Sequence, residues 1–283
     1  MPEAPRRQRL RNPFRRRPLV CVIELSGVIG DIGPGRRGLA LSRLETAIEA
    51  AFRPRRLAAV AIAINSPGGS PVQSRLIHDR IRREAARAGK PVFAFIEDIG
   101  ASGGYILALA ADEIYADPSS IVGSIGVISA GFGFHEAIAR LGVERRVHAA
   151  GENKSQLDPF RHENPDDVAR LETILAELHA EFIALVKARR GDRLKPAPDT
   201  FSGAFWTARG AAERGLVDGT AHLGEFMQKR FGDDVKVRRV THRPGSLLRR
   251  LADGVGPAAG PDVGPHAWLS ALEERAMWSR FGL

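Results

Sequence analysis

Residues 57–64 (LAAVAIAI) and 91–96 (PVFAFI) are unbroken apolar runs of strand length, and each leads into a turn of glycine and other small residues. A strand with no polar alternation has no face to give to water, so both runs must lie inside a sheet covered on both sides. Between them, residues 71–88 read as a helix that stops at Gly89. Strand, helix, strand in that order is the parallel βαβ unit, which confines the chain to an α/β fold with a parallel sheet core.

The rest of the chain repeats this grammar. Residues 19–25 read as a first strand, 27–38 as a glycine-rich loop, and 40–52 as a helix with Leu41, Leu44 and Ile48 at helical spacing. A short strand is expected at 114–116, a turn at 117–122, a strand-like stretch at 123–129, a helix at 135–141 and a strand at 144–148. Residues 151–163 read as a polar loop. Asn164 then caps the clearest helix: Pro165 takes its first turn, Asp166 and Asp167 suit the positive end of its dipole, and Gly191 stops it. Its apolar positions run from Val168 through Leu171, Ile174, Leu178, Phe182 and Leu185 to Val186.

At 283 residues the chain can bury a sizeable core. Its one cysteine, Cys21, excludes an intramolecular disulfide framework and reads as core. The net charge of +9 is uneven: residues 1–18 hold seven arginines against Glu3 and carry most of it. The body is therefore not a basic nucleic-acid-binding surface, and no nucleic acid partner is expected. The tail reads as disordered and solvated, with contact to anionic lipid open to it. No run approaches the ~20 apolar residues of a membrane helix, and no export signal is evident. The expected location is cytoplasmic, with peripheral contact to the inner membrane through the tail or the last helix.

Residues 254–265 are rich in glycine and proline and read as a linker to an amphipathic segment, 266–283, carrying Trp268, Leu269, Leu272, Met277, Trp278 and Phe281. That segment can dock on its own body, on a neighbouring subunit or on a membrane surface. The expected organisation is a basic tail (1–18), an enzyme-like domain (19–242) and a C-terminal extension (243–283).

The chemistry centres on Ile99-Gly-Ala-Ser-Gly-Gly-Tyr105, where an apolar strand gives way to an apolar helix. The small residues around Ser102 let a substrate backbone approach its hydroxyl closely. Two readings stand: a nucleophile set at a strand-to-helix turn, or a tight turn in which the serine only caps. Upstream, Asn65-Ser-Pro-Gly-Gly69 also follows a buried strand and precedes a helix. It lacks the Gly-Lys-Ser/Thr of a P-loop and the spacing of a dinucleotide fingerprint. Its backbone N–H groups suit an oxyanion, and an ordinary Pro-Gly turn is the alternative.

A serine nucleophile needs a base. No histidine sits in an obvious motif, His135 and His148 being the nearest downstream. Lys154, in Gly-Glu-Asn-Lys-Ser, is the other candidate. A lysine acts as a base only when neutral. Bringing an ordinary lysine from ~10.4 to ~7–8 requires about 4 kcal/mol of differential solvation, which a covered site can supply.

Taken in order, Asn65-Ser-Pro-Gly-Gly69, Gly100-Ala-Ser-Gly-Gly-Tyr105, Val122-Gly-Ser-Ile-Gly-Val127, Asn153-Lys-Ser155 with Asp-Pro-Phe160, and Gly210-Ala-Ala-Glu-Arg-Gly-Leu-Val-Asp218 resemble the signal peptide peptidase A family of serine peptidases in its short, single-repeat form. The likeness spans about residues 19–240. It implies a crotonase- or Clp-like fold of repeated ββα units and a Ser–Lys dyad. Ser102 is then the nucleophile and Lys154 the base. Ser124 is the lysine-orienting serine, the Gly69 N–H belongs to the oxyanion hole, and Gly68 and Gly103 line the bound substrate. It also implies a homo-oligomeric ring, an octamer being the candidate size, with serine and lysine supplied by neighbouring subunits. The implied substrates are signal peptides and other short or unfolded polypeptides, and no metal or other cofactor is implied. The chain departs from the family in its polybasic tail, where many members carry a membrane anchor, in Asn153, where an aromatic is frequent, and in its C-terminal extension.

Rival readings are weaker. A Clp-type triad needs a histidine downstream of the serine where this chain has Gly126-Val-Ile128. A crotonase-type acyl-CoA enzyme would use carboxylates such as Glu97 and Asp98, which read as loop charges. A non-catalytic ring that binds peptides or membrane has no need of a Ser102, Ser124 and Lys154 set.

Overall fold

The computed structural model describes residues 17–30, 38–240, 272 and 274–283. The expected tail (1–16 of it) and the Gly/Pro linker lie outside the described residues. In chain order the elements are β1 (Leu19–Ser26), α1 (Leu41–Phe52), β2 (Leu57–Ser66), α2 (Pro71–Ala88), β3 (Val92–Ala101), α3 (Gly103–Ala108), β4 (Glu113–Ala116) and β5 (Ile121–Gly123). They continue with α4 (His135–Arg140), α5 (Pro165–Arg190), β6 (Phe205–Thr207), α6 (Ala208–Glu213), β7 (Gly219–Thr220), α7 (Leu223–Phe231) and β8 (Lys236–Val240).

The strands form one sheet in the order β6-β5-β3-β2-β1-β8, with β4 pairing β3 and β7. Every pairing is parallel except β5 with β6. Both apolar runs lie in the middle: β2 and the first half of β3 are almost wholly buried. Alternation then splits β1 between two cores. Cys21, Ile23 and Leu25 face the layer of α1, α2 and α3, while Val20 and Val22 join Ala59, Ala61, Phe93, Phe95 and Met227 under α7. Phe226 of α7 packs its ring 5.3 Å from Phe93 and 4.5 Å from Tyr115 on that second face.

Local chemistry sets the helix ends that matter for the site. Ser70 caps α2 by accepting from the Gln73 amide at 3.3 Å, Pro71 follows, and Gly89 ends the helix in the left-handed conformation. Asn164 caps α5, its side chain accepting from the Asp166 amide at 3.0 Å. The apolar stripe of α5 is covered only in its C-terminal half: Phe182, Leu185 and Val186 are buried, whereas Ile174 and Leu178 are exposed.

Two sequence expectations fail. The strand-like stretch 123–129 is a strand only at its start, within β5, because Ser124 takes φ 52° and turns the chain out of the sheet. Residues 144–148 form no strand, since they lie on an exposed arm, residues 126–163, with no sheet edge to pair. The arm is braced from within. The Phe134 amide donates to the Pro159 carbonyl at 2.6 Å, and the Phe134 and Phe160 rings lie 5.6 Å apart. Arg145 pairs with Asp158 at 2.9 Å and covers the Phe160 ring.

Candidate active site

β3 runs past its apolar half to Ala101 and delivers Ser102 at the start of α3. Ser102 has φ 52° and ψ −120°, a conformation that an L residue adopts only when its surroundings enforce it, at a cost of about 1–3 kcal/mol. It occupies the N-cap position of α3, yet its side chain makes no capping hydrogen bond. Ser102 therefore does not cap α3 through its side chain, and the turn is strained.

The turn after β2 lies against this serine. A Cβ on Gly68 would stand 2.9 Å from both the Ser102 Cβ and the Gly103 nitrogen. A Cβ on Gly69 would stand 2.1 Å from the Ile29 carbonyl oxygen. The turn is fixed to the loop after β1: Ile29 donates to the Gly68 carbonyl at 2.8 Å and accepts from Ser70 at 2.8 Å. The Gly69 and Gly103 N–H groups have no acceptor among the described residues. Unpaired backbone donors of this kind can hold a developing oxyanion.

Ser124 is 7 % exposed and, like Ser102, has φ 52°. The Ser102 amide donates to the Gly123 carbonyl at 2.9 Å, and the Ser124 amide donates to the Ala204 carbonyl at 2.7 Å. The two serines thus sit on one backbone network across β3, β5 and the chain leading into β6. Trp206 packs on Gly123 so closely that a Cβ there would be 2.8 Å from its ring.

Lys154 is not brought to this centre. It is exposed on the arm, in a turn closed by its own amide on the Gly151 carbonyl at 3.2 Å, and has no hydrogen bond to Ser102 or Ser124. Neither histidine candidate replaces it: His148 is exposed, and His135 lies against His162 with ring centroids 3.9 Å apart and the rings tilted by 46°, both on the arm. Glu97 and Asp98 line a separate cavity of about 440 Å³ with Phe95, Asp117, Ser120 and His222. Burial raises the Glu97 carboxyl above its ordinary range, but Ser102 is not among the residues lining that cavity.

Sequence reasoning missed His179 of α5, whose Nε2–H donates to the Ile125 carbonyl at 3.1 Å and ties the chain just after Ser124 to the long helix. Of the docking partners expected for the C-terminal segment, its own body is the one seen: Phe281 and Trp278 pack with Ile99, Ala101 and Ile121, next to the Ser102 turn, a place the sequence did not indicate. Neither lies in a local motif; both meet the site only through the fold.

A parallel α/β sheet with a strained serine at a strand-to-helix turn is an arrangement that serine hydrolases use. Residues 84–237 match Peptidase family S49, and the chain belongs to this family of serine peptidases. A protein of Synechocystis sp. named as a protease is 30% identical over 232 residues, covering 80% of this chain and 81% of that one. Proteins named Na(+)/H(+) antiporter NhaA from Brucella melitensis and Brucella abortus are 49% and 48% identical over 272 residues. They cover 93% of this chain, which spans only 37% of their own length. That name describes the longer proteins and is not carried over. The fold is similar to the membrane-bound stomatin-specific protease 1510-N, at 17% identity. Its serine-to-alanine mutant aligns with TM-score 0.51 over 80% of this chain and 99% of that one. Its lysine-to-alanine mutant, in complex with a substrate peptide, aligns with TM-score 0.50 over 84% and 98%.

Proposed function

We propose that the protein is a serine endopeptidase with a Ser–Lys dyad, acting on signal peptides or other short or unfolded polypeptides. The observation that carries the reading is Ser102 itself, held at φ 52° with no capping role and with the free N–H groups of Gly69 and Gly103 beside it. Neutral Lys154 takes the Ser102 proton as the hydroxyl attacks a peptide carbonyl. The Gly69 and Gly103 amides hold the developing oxyanion, Ser124 orients the lysine, and Gly68 leaves room for the substrate backbone. Lys154 then protonates the leaving amine, and water hydrolyses the acyl-enzyme.

Within one chain the base stands on an exposed arm. We read the dyad as completed between neighbouring subunits of a ring, whose contact also removes water from the lysine. The exposed Ile128, Phe132, Leu141 and Val143 on the arm, and Ile174 and Leu178 on α5, supply apolar surface for that contact. The substrate-peptide complex of the structural neighbour supports a polypeptide substrate. We read the peptidase domain as 19–242, at the cytoplasmic side, with peripheral membrane contact through the basic tail 1–18 or the C-terminal helix. Among the described residues no helix is long and apolar enough to cross a membrane.

The test compares wild type, Ser102→Ala and Lys154→Ala on an unfolded protein and an apolar fluorogenic peptide, each variant checked for oligomer size. Cleavage by wild type that both variants lose, rising in rate from about pH 6 to 9, is the expected result. Variants that cleave like wild type would end the dyad assignment.

A further inference from the structure

β8 forms one edge of the sheet, and the last described residues lie toward the opposite edge, beside β3, β5 and β6. There Phe281 is 8 % exposed and packs with Ile99 and Ala101 of β3, both fully buried, and with Ile121 of β5 and Trp278. Its ring meets Phe205 of β6 edge-on at 5.0 Å between centroids. The cluster around Phe281 thus draws on all three strands beside the strained serines: Ala101 precedes Ser102, Phe205 pairs with Gly123, and Ile121 begins the strand that ends before Ser124.

β5 and β6 have three residues each, too short to fix a strained turn by their own ladder bonds. The α-helical layer covers the opposite face. On this face, the apolar group that shields Ile99 and Ala101 comes from the C-terminal residues.

We infer that the C-terminal segment is a clamp, with Phe281 as a positioning residue that holds β3, β5 and β6 in register so that the Ser102 and Ser124 turns keep their strained geometry. The kinetic part rests on the peptidase reading above; the packing part does not. The clamp works from behind the strands, so its removal alters the turnover of bound substrate more than the binding of substrate.

The experiment uses the full chain carrying Phe281→Ala, Phe281→Leu or Trp278→Ala. Amide hydrogen exchange reads the clamp without any substrate. In Phe281→Ala the amides of residues 99–102 and 121–124, including those of Ser102 and Ser124 bonded to Gly123 and Ala204, are expected to exchange at least tenfold faster. Those of β1 and β2 are expected to stay unchanged. On peptide substrate, kcat is expected to fall at least tenfold with KM within threefold, and Phe281→Leu to restore at least half of kcat. Exchange at 99–102 and 121–124 equal to wild type overturns the clamp, as does faster exchange with unchanged kcat. Uniform loosening of the whole sheet in all three variants overturns it too, by making the segment ordinary core. A wild type that cleaves nothing would defeat the peptidase reading, while the exchange result would still decide the clamp.

Discussion

The Ser102 amide donates to the carbonyl of Gly123 at 2.9 Å, which locks the Ser102 turn to the residue preceding Ser124. The side chains of the two serines can therefore be altered without disturbing the backbone that places them. If Ser124 orients the lysine as proposed, Ser124→Ala is expected to keep the fold and to lower kcat about 10–100-fold with KM near wild type. Steady-state kinetics check it, and a kcat within twofold of wild type removes Ser124 from the machinery.

Gly68 lies directly against Ser102. At φ 108° it sits in backbone space that favours glycine, and an added methyl would stand 2.9 Å from the Ser102 Cβ and the Gly103 nitrogen. Gly68→Ala must therefore push either the serine or the amide it faces. The expected loss in kcat/KM is at least 100-fold, the scale of a misplaced oxyanion donor, with circular dichroism unchanged. Activity within threefold of wild type would place the oxyanion elsewhere.

If the proposed dyad forms between neighbouring subunits, inactive variants should complement, since Lys154 is exposed and makes no hydrogen bond to Ser102 within the chain. Ser102→Ala and Lys154→Ala subunits, unfolded together and reassembled, are expected to regain activity, up to about a quarter of wild type for random pairing of adjacent subunits. Each alone stays inactive. Absence of any recovery in verified mixed oligomers would mean that the arm folds back onto its own serine.

The sheet was legible because its signals are local. β2 and the first half of β3 are unbroken apolar runs, α2 carries its cap, proline and terminal glycine in sequence, and α5 announces both ends. The Ser102 turn was legible for the same reason, as a cluster of small residues between strand and helix. Residues 144–148 read as a strand but find no edge to pair with, which only the fold decides. His179 on Ile125 and Phe281 on Ile99 join residues far apart in the chain, and no spacing rule announces either. The separation of Lys154 from Ser102 was likewise a property of the arm's exposure, not of its sequence.

Arg190 is 2 % exposed and grips Asp218 through two bonds of 2.9 and 3.0 Å, while its Nε donates to the Gly215 carbonyl at 2.7 Å. Burial by itself would raise the Asp218 carboxyl. The Arg190 hydrogen bonds, the Ile114 amide and the charges of Arg190 and Arg193 outweigh it and hold the group below its ordinary range. A depressed carboxyl contributes stability above its unfolded value near ~3.9 and loses it as pH falls through the folded value. Asp218→Asn is expected to cost about 3–5 kcal/mol at pH 7, because it strands a buried guanidinium. The gap to wild type should shrink as pH falls below about 4. Denaturant unfolding at pH 7 and pH 3 checks it, and an equal gap at both values would show that the pair is not what titrates.

Ile174 and Leu178 lie one turn apart on α5 and are 48 % and 38 % exposed, on the half of the helix that the body leaves uncovered. Pairing this stripe with a neighbouring subunit would bury it, and two aspartates there would make that burial prohibitive while meeting only water in the single chain. Ile174→Asp with Leu178→Asp is therefore expected to shift the protein to a smaller species by sedimentation. Unfolding stability of the chain itself should change by no more than about 0.5 kcal/mol per site, as for other exposed positions. If the dyad forms between subunits, activity should fall with the loss of assembly, and raising the protein concentration should restore both together. A variant that keeps its wild-type size and activity would show that α5 faces water in the working enzyme and that the contact lies elsewhere on the arm.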